Sequence, residues 1–435
     1  MRIRQRVTSR KTVLCIFLLL AFCCLIANII PQRTESPASG ASWLAGNTWI
    51  NHVIRAAGLD HVFSTTWFVI LALFFLLSLA ISTHDQYRRA IQKTWGEIQE
   101  TAPKGEVLVV PLSDFQKKTR QLGYIAMGSR TEPMRYVKHP WGHWGNFALH
   151  LGLALSVLFA LVYVATEHRA IVRLIEGEQV YPTPDTVVEK KGLLAKRIDF
   201  PTALRLEKLD ADFWDNDQLR ALGSQTLFTA ASGETKRIGV AINDKAHYNG
   251  MTVYQKNSFG TAFFLTMDDG HQQPFPETLF LPCPPRRDKA GYGTITLPDS
   301  GLTIKAKYFA DAAKRNIYPV APLLVLRLYD GERMVGETAL QPGQSTVLGE
   351  YVVSLAKTAW WTDYLFEGSW GTFGIFTGFA LILIGVVLNY FVVPRTVLVR
   401  QADDGYRVCW RTVRFPDLYA AEKEEIFAFC RGDLT

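Results

Sequence analysis

Residues Phe147–Thr166 read FALHLGLALSVLFALVYVAT, an apolar run in which His150 is the only residue with an acidic or basic side chain. A bilayer core about 30 Å thick needs roughly 20 apolar residues of helix, and only helices or closed barrels satisfy the backbone there. The run therefore predicts a transmembrane helix. Three similar runs predict three more, and they lie at Val13–Ile30, Trp67–Ile81 and Phe373–Val393.

The spacing of these four runs predicts the domain organisation. Three transmembrane helices are N-terminal and one is near the C-terminus, and a long segment of ordinary globular composition separates the last two. The predicted segments are a cytoplasmic N-terminus (1–12), the first span (13–30), an outward loop (31–65), the second span (66–83), a cytoplasmic connection (84–146), the third span (147–166), an outward domain (167–370), the fourth span (371–393) and a cytoplasmic tail (394–435).

Positive charges predict the orientation of the spans. Cytoplasmic flanks carry an excess of Lys and Arg. Arg2, Arg4 and Arg6 precede the first span without an acid among them, and the 84–146 connection is rich in Lys and Arg. Both termini and this connection are therefore expected in the cytoplasm. The large domain is expected on the outer face of the membrane, which for a bacterial inner membrane is the periplasmic face.

The net charge of +7 does not indicate nucleic-acid binding. Much of the excess lies beside the predicted spans, where membrane orientation accounts for it. The chain carries no motif of a nucleic-acid-binding fold. We therefore expect a lipid bilayer as the surrounding medium and no nucleic acid as a partner.

Cysteine usage is sparse. The outward domain contains only Cys283, so it can form no internal disulfide. The chain has neither a C-x-x-C redox motif nor a C-x-x-C-H haem-attachment motif. We predict that Cys283, in a Pro-rich loop, is an inert thiol.

The outward domain is predicted to be β-rich. Apolar and polar residues alternate in several short runs, and turn dipeptides such as Asn249-Gly250 lie between them. The clearest predicted hairpin joins Leu323–Tyr329 to Met334–Leu340 through Asp330-Gly331. An antiparallel sandwich or barrel-like domain is expected. It shows no hydrolase or phosphate-loop signature, so we predict no catalytic residue.

Histidines cluster around the predicted spans, and His150 lies inside one. An ionisable residue there usually faces the bundle interior or a cavity, and imidazole is a common axial ligand of haem iron. A histidine that bonds a neighbouring helix is an equal alternative. His143 lies two turns earlier and is a weaker cofactor-binding candidate, or an interfacial residue beside Trp141 and Trp144. His84 is expected to close the second helix, and His168, His247 and His271 are expected to be scattered surface residues.

Five segments together resemble the ResB (CcsB) family of system II cytochrome c biogenesis. They occur in the family's order and extend over most of the chain. These segments are ANIIPQ (27–32), TWF (66–68), SLAISTH (78–84), GNFALHLG (145–152) and YNGMTVYQ (248–255).

The resemblance implies a role as a subunit of a cytochrome c synthase. ResB-like proteins pair with a ResC/CcsA-like membrane protein, and the pair moves haem outward and attaches it to apocytochrome c. The resemblance implies that His150 binds the iron of transient haem b, shared with the partner. It also implies a thioredoxin-like thiol reductant as a further partner.

Residues 361–371 follow the family pattern only loosely, and Trp360-Trp361 before the fourth span are interpreted as interfacial aromatic residues. This departure leaves an alternative open, in which the chain is a membrane-anchored outward binding or accessory module for another transporter or sensor. A stand-alone transporter is a third hypothesis. Many transporters contain internal repeats, and four unevenly spaced spans do not favour such an arrangement.

Overall fold

The computed structural model describes residues 9–30, 32, 49–96, 105–127, 134–196, 199–270, 273–297, 301–403 and 405–433. Predictions that depend on residues 1–8, on residues 33–48 of the outward loop or on His271 lie outside the described residues. The chain forms two compact units. The first, here called the membrane unit, is Met1–Ala165 with Trp370–Thr435, and the second, the strand domain, is Thr166–Ser369.

Four helices of the membrane unit are long and apolar enough to cross a membrane. The predicted fold, three spans before and one after a strand-rich domain, is therefore confirmed. Ser9 and Thr65 begin two of these helices, because each side-chain oxygen accepts a hydrogen bond from a backbone N–H of the first turn. The helices are α1 (Arg10–Ile29), α2 (Trp49–Ala57), α3 (Thr66–Trp95), α4 (Leu112–Gln121), α5 (Gly145–Thr166), α6 (Thr372–Tyr390) and α7 (Ala420–Arg431).

Helix α3 is longer than a span requires. Its 30 residues extend about 45 Å at 1.5 Å per residue, against a bilayer core of about 30 Å. His84 therefore lies within the helix, and the prediction that it closes the helix is wrong. The polar segment after it continues the helix because Ala90 and Thr94 are buried and the last turn packs on the 3₁₀ turn Pro140–Trp144.

Helices α5 and α6 approach each other closely through glycine. A Cβ atom on Gly152 would lie 2.6 Å from the backbone oxygen of Gly378, and one on Gly378 would lie 2.8 Å from the backbone nitrogen of Ser156. Real side chains do not tolerate such distances, so both positions require glycine at this separation. Small residues at helix contacts are typical of membrane proteins, where close backbone packing stabilises helix pairs.

The predicted cytoplasmic connection and the predicted cytoplasmic tail together form one small module of strands and helices. The predicted domain organisation treats them as two separate segments. A five-stranded sheet forms the centre of the module, and α4 and α7 pack against the sheet. Glu422 of α7 ties the two segments together, because its carboxylate accepts hydrogen bonds from Tyr124 at 2.7 Å and from Lys138 Nζ at 3.4 Å. We call this the split module. Its strands are β1 (Glu106–Val107), β2 (Ile125–Ala126), β3 (Met134–Lys138), β19 (Arg395–Ala402) and β20 (Gly405–Thr412). Their order in the sheet is β1-β20-β19-β3-β2.

The strand domain contains three sheets whose strands pair antiparallel, as predicted. Their strands are β4 (His168–Ile175), β5 (Gln179–Val180), β6 (Val187–Lys191), β7 (Ala203–Phe213), β8 (Leu219–Thr229), β9 (Thr235–Ala241), β10 (Ala246–Tyr248), β11 (Met251–Asp268), β12 (Phe275–Pro282), β13 (Gly291–Thr296), β14 (Thr303–Phe309), β15 (Leu323–Asp330), β16 (Arg333–Leu340), β17 (Ser345–Leu348) and β18 (Tyr351–Gly368). The orders are β10-β11-β18-β4-β6 with β12 on β11 and β17 on β18, β13-β14-β15-β16, and β5-β7-β8-β9.

The predicted hairpins form. Strands β15 and β16 pair with Leu324 opposite Leu340 around the Asp330-Gly331 turn. Asn249 and Gly250, between β10 and β11, both have positive φ (46° and 77°). A type I′ turn requires this conformation, which explains why an Asn-Gly pair joins these strands.

The long strands β11 and β18 run through two separate hydrophobic cores. Met251, Val253 and Phe366 belong to the first core, between the seven-stranded sheet and β7–β9. Phe263 and Val353 belong to the second, which includes β14 and β15. Register shifts interrupt the β11–β18 pairing, between Gln255 and Phe259 along the first core and between Phe264 and Leu265 along the second. Such irregularities bend a strand and change its twist, so two strands can serve both cores.

Candidate functional site

His150 lies in the second turn of α5, and its hydrogen bond determines which ring nitrogen carries the proton. Nδ1 lies 2.8 Å from the backbone oxygen of Asn146, one turn earlier. A carbonyl oxygen only accepts, so Nδ1 donates its hydrogen, and this tautomer leaves a lone pair on Nε2. A hydrogen bond of this kind orients metal-binding histidines in proteins. Nε2 is therefore the ring nitrogen of a neutral His150 that carries the lone pair.

The position of His150 on α5 points to the inside of the helix group. Leu153, Ala154 and Val157 follow it at three, four and seven residues, which places them on the same stripe of the helix. These three residues pack against the buried cluster formed by Ile16, Phe75 and Leu79 of α1 and α3. His150 thus lies at the beginning of the stripe that contacts the first two spans, and its side chain is half-buried.

Aromatic rings surround the beginning of α5. Tyr87 of α3 lies 5.3 Å from Phe147 and 6.0 Å from Trp144 between ring centroids, and Trp95 lies 5.6 Å from Trp144. Trp141, in contrast, is exposed. The predicted pair of interfacial tryptophans therefore separates: Trp144 holds the end of α3 against the start of α5, and Trp141 remains on the surface.

His143 lies outside α5, in the 3₁₀ turn before it, because the helix begins only at Gly145. It lines a pocket of about 340 Å³ together with Lys93, Arg135 and Arg411. Burial lowers the pKa of the Arg135 guanidinium, which donates to the backbone oxygen of Lys93. Among the described residues, His143 Nε2 has no hydrogen-bond partner. The two predicted cofactor-binding histidines therefore lie in different elements and different surroundings.

The histidines of the strand domain differ from the prediction in one case. His168 is 2% exposed, so the expectation that it is a surface residue is wrong. It is buried because β4 begins there, beside β6 and the turn that follows β6, and its Nδ1 donates to the backbone oxygen of Lys196 at 2.8 Å. His247 of β10 is exposed.

The remaining candidates for chemistry are the Cys283 thiol and clusters of metal-binding side chains. Burial raises the pKa of the Cys283 thiol to about 12, so it stays protonated at neutral pH and is a poor nucleophile. Among the described residues, no group of three or more His, Cys, Asp or Glu could hold a metal ion. An axial bond to haem iron needs only a single imidazole, so such a group is not required for it.

The tryptophans before the fourth span are not interfacial, contrary to the prediction. Trp361 is 5% exposed in β18, and its Nε1 donates to the backbone oxygen of Leu281 at 3.1 Å. The Arg173 guanidinium lies 4.3 Å from its ring centroid and pairs with Asp363 at 2.8 Å. The residues 360–363 are therefore part of the strand domain, because β18 continues to Gly368.

The segment 248–255 also has a structural role. Gln255 is buried and accepts a hydrogen bond from Ser224 at 2.8 Å, and Ser224 lies 2.6 Å from the hydroxyl of Tyr364. Tyr248 packs in the first core. This segment therefore connects β10 and β11 to the neighbouring strands through buried polar and apolar contacts.

Comparison with known proteins gives the family of the chain. The model of the ResB-like family matches residues 10–107 and 137–366. The chain is 23% identical over 400 residues to the cytochrome c biogenesis protein CcsB of Gloeobacter violaceus (88% of this chain, 81% of that protein). It is 24% identical over 359 residues to CcsB of Thermosynechococcus vestitus (78% and 74%).

A plant protein is also similar. The chain is 24% identical over 255 residues to the chloroplastic cytochrome c biogenesis protein CCS1 of Arabidopsis thaliana, covering 56% of this chain and 45% of that protein. The family match leaves out residues 108–136 and everything after Phe366, so α4 and the strands β19 and β20 of the split module lie outside it. The match nevertheless covers far more than half of the chain, and the protein belongs to the ResB-like family.

Proposed function

We propose that this protein acts in cytochrome c biogenesis, as the ResB-like subunit of a system II cytochrome c synthase. Its family and the names of its relatives, which are cytochrome c biogenesis proteins, support this role. In the proposed complex it pairs with a ResC/CcsA-like membrane protein and receives haem b as a transient substrate. The pair delivers the haem to apocytochrome c, which a thioredoxin-like protein keeps reduced.

The single observation that carries the proposal is the tautomer of His150. The Nδ1–H bond to Asn146 leaves Nε2 with a lone pair inside a membrane span, where an ionisable side chain is costly without a function. We infer that His150 Nε2 supplies an axial ligand to the haem iron. The nearby aromatic rings of Trp144 and Phe147 offer apolar surface for a porphyrin.

The orientation of the spans fits this role. The positive charges of the 84–146 connection favour a cytoplasmic location for the start of α5. His150, in the second turn, then lies near the cytoplasmic end of the third span. That depth suits a site that receives haem from the cell interior, and the strand domain then lies on the outer face, where apocytochrome c is matured.

The experiment that tests this proposal replaces His150 with Ala in the complex with the CcsA-like partner. We expect the complex to assemble, its Soret absorbance to fall by most of the wild-type value, and cytochrome c maturation to stop. Added imidazole should restore part of both signals, because it can occupy the vacated coordination position.

His247→Ala is the matched control, since His247 is an exposed histidine of the strand domain. It should leave haem content and maturation unchanged. His168 is unsuitable as a control because it is buried and its loss would disturb folding. If His150→Ala keeps full haem content and full maturation, His150 is a structural histidine and the ligand assignment is wrong.

A further inference from the structure

The turn that follows β6 exposes two leucines. Gly192, Leu193, Leu194 and Ala195 form this turn, here called the leucine turn. Leu193 is 95% exposed and Leu194 is 68% exposed. Two adjacent leucines this exposed at the end of one turn form a compact apolar projection, which soluble surfaces tend to avoid.

Strand register places the leucine turn at the membrane end of the strand domain. Strand β4 begins at His168, two residues after α5 ends at Thr166. Strand β6 runs antiparallel to β4 and ends with Lys191 opposite His168. The N–H of Gly192 then donates to the backbone oxygen of Glu167 at 2.7 Å. The turn is therefore hydrogen-bonded to the residue directly after the third span.

The return of the chain to the membrane marks the same edge. Gly368, the last residue of β18, also lies opposite His168, and the fourth span begins four residues later at Thr372. Three neighbouring strands, β18, β4 and β6, thus end or begin at one level. Two of them continue into transmembrane helices, and the third continues into the leucine turn.

The leucine turn is held in place on both sides. His168 Nδ1 donates to the backbone oxygen of Lys196 at 2.8 Å, which fixes the residue after the turn. Lys190 pairs with Glu167 at 2.9 Å, which fixes the strand before it. Buried His168 therefore has a defined role: it anchors the turn to the start of β4.

The basic residues around the leucine turn fit a lipid surface. Lys190 and Lys191 before the turn pair with Glu167 and Glu189, and Lys196 follows the turn, so charged side chains lie at the base of the apolar tip. Apolar side chains of interfacial segments enter the headgroup–acyl boundary, and Lys side chains beside them keep their charged ends at the level of the headgroups.

We propose that the leucine turn inserts Leu193 and Leu194 into the bilayer leaflet next to the end of the third span. The occupant of this apolar surface is lipid, because the turn bonds to the residue that follows a membrane-spanning helix. The turn is a third attachment of the strand domain to the membrane, besides its two covalent connections. This inference does not depend on the haem role of His150.

The test uses the full chain in lipid nanodiscs. An environment-sensitive fluorescent amino acid is introduced by amber suppression at position 193, or separately at position 194. Brominated lipids should reduce its emission by about half, because a depth of about 5–10 Å brings it near the acyl-chain bromines. Aqueous iodide should have little effect.

Val347 is the matched control position. It is 63% exposed in β17, which pairs with the start of β18, and Val352 opposite it lies about 50 Å along that strand from Gly368. The probe there should respond to iodide and not to brominated lipid. If probes at 193 and 194 respond to iodide as the control does, or are shielded from both quenchers, the leucine turn does not enter lipid and the proposal is wrong.

Discussion

The packing of the third span against the fourth and the packing inside the strand domain depend on opposite features. Helices α5 and α6 meet where side chains are absent, at Gly152 and Gly378. The strand domain is held by large side chains that are fully buried, such as Phe263, Leu326 and Tyr364. At the α5–α6 contact, a substitution that adds a side chain should be damaging. In the strand domain, a substitution that removes one should be.

The difference follows from the two solvents. Burial of apolar surface from water stabilises the strand domain by about 25 cal/mol per Å². Lipid chains are as apolar as leucine, so a span gains nothing comparable from contact with another span. Close packing of backbones replaces that contribution, and at Gly152 and Gly378 only glycine permits it. Each of the following changes tests this contrast.

Gly378→Leu should have the largest effect. Its side chain would collide with the backbone of α5 at Gly152 and Ser156, and the backbone cannot move aside as a flexible side chain can. We expect α5 and α6 to separate and the full chain in detergent to lose its monodisperse peak in size-exclusion chromatography after mild heating.

Ala380→Leu is the control for that change, because Ala380 lies on the same helix and is exposed. It should elute as the wild type does under the same heating. Equal behaviour of the two variants would contradict the view that glycine contact holds the pair.

Leu326→Ala should destabilise the strand domain by about 2–5 kcal/mol, since it leaves a cavity in the second core. The measurement is urea unfolding of residues 166–369 expressed alone, which should show a circular dichroism spectrum dominated by strand. Tyr292→Ala at an exposed site of β13 should change stability by less than about 0.5 kcal/mol. A dominant helical spectrum, or equal midpoints for the two variants, would refute the description of this core.

Tyr364→Phe should have the smallest effect, about 1–2 kcal/mol. The ring stays in the first core, but the hydroxyl that lies 2.6 Å from Ser224 Oγ and 2.8 Å from Thr226 Oγ1 is lost. Ser224 keeps its hydrogen bond to Gln255, but buried Thr226 loses the partner of its hydroxyl, which carries a desolvation cost. Tyr292→Phe serves as control in the same urea titration, and a Tyr364→Phe midpoint equal to that of this control would mean that the buried hydroxyl contributes nothing.

Local patterns predicted the parts of the fold that depend on neighbouring residues. The spans were recognisable from apolar length, and the β15–β16 hairpin from alternation around Asp330-Gly331. The split module was missed, although Asp404-Gly405 lies between two alternating runs and marks a hairpin in the same way. Its sheet pairs Val137 with Thr396, and no local pattern indicates which distant strand a segment will join.

The candidate site shows the same division. The position of His150 within an apolar run identified it as a candidate, while the lone pair on Nε2 follows from the hydrogen bond to Asn146. The separation of His143 from His150 depends on where α5 begins, and the Gly residues before it left that open. The burial of His168 and Trp361 depends on strand pairing, which the flanking residues do not reveal.

By itself, then, the sequence determined four spans, their order, a strand-rich domain and the presence of an ionisable side chain inside the third span. These depend on hydrophobic length, charge and turn preference, which act over a few residues. Only the tertiary structure decided the split module, the two cores that share β11 and β18, the glycine contact of α5 with α6 and the place of the leucine turn. Each of these requires two segments distant in sequence to meet, and packing complementarity between surfaces determines such meetings.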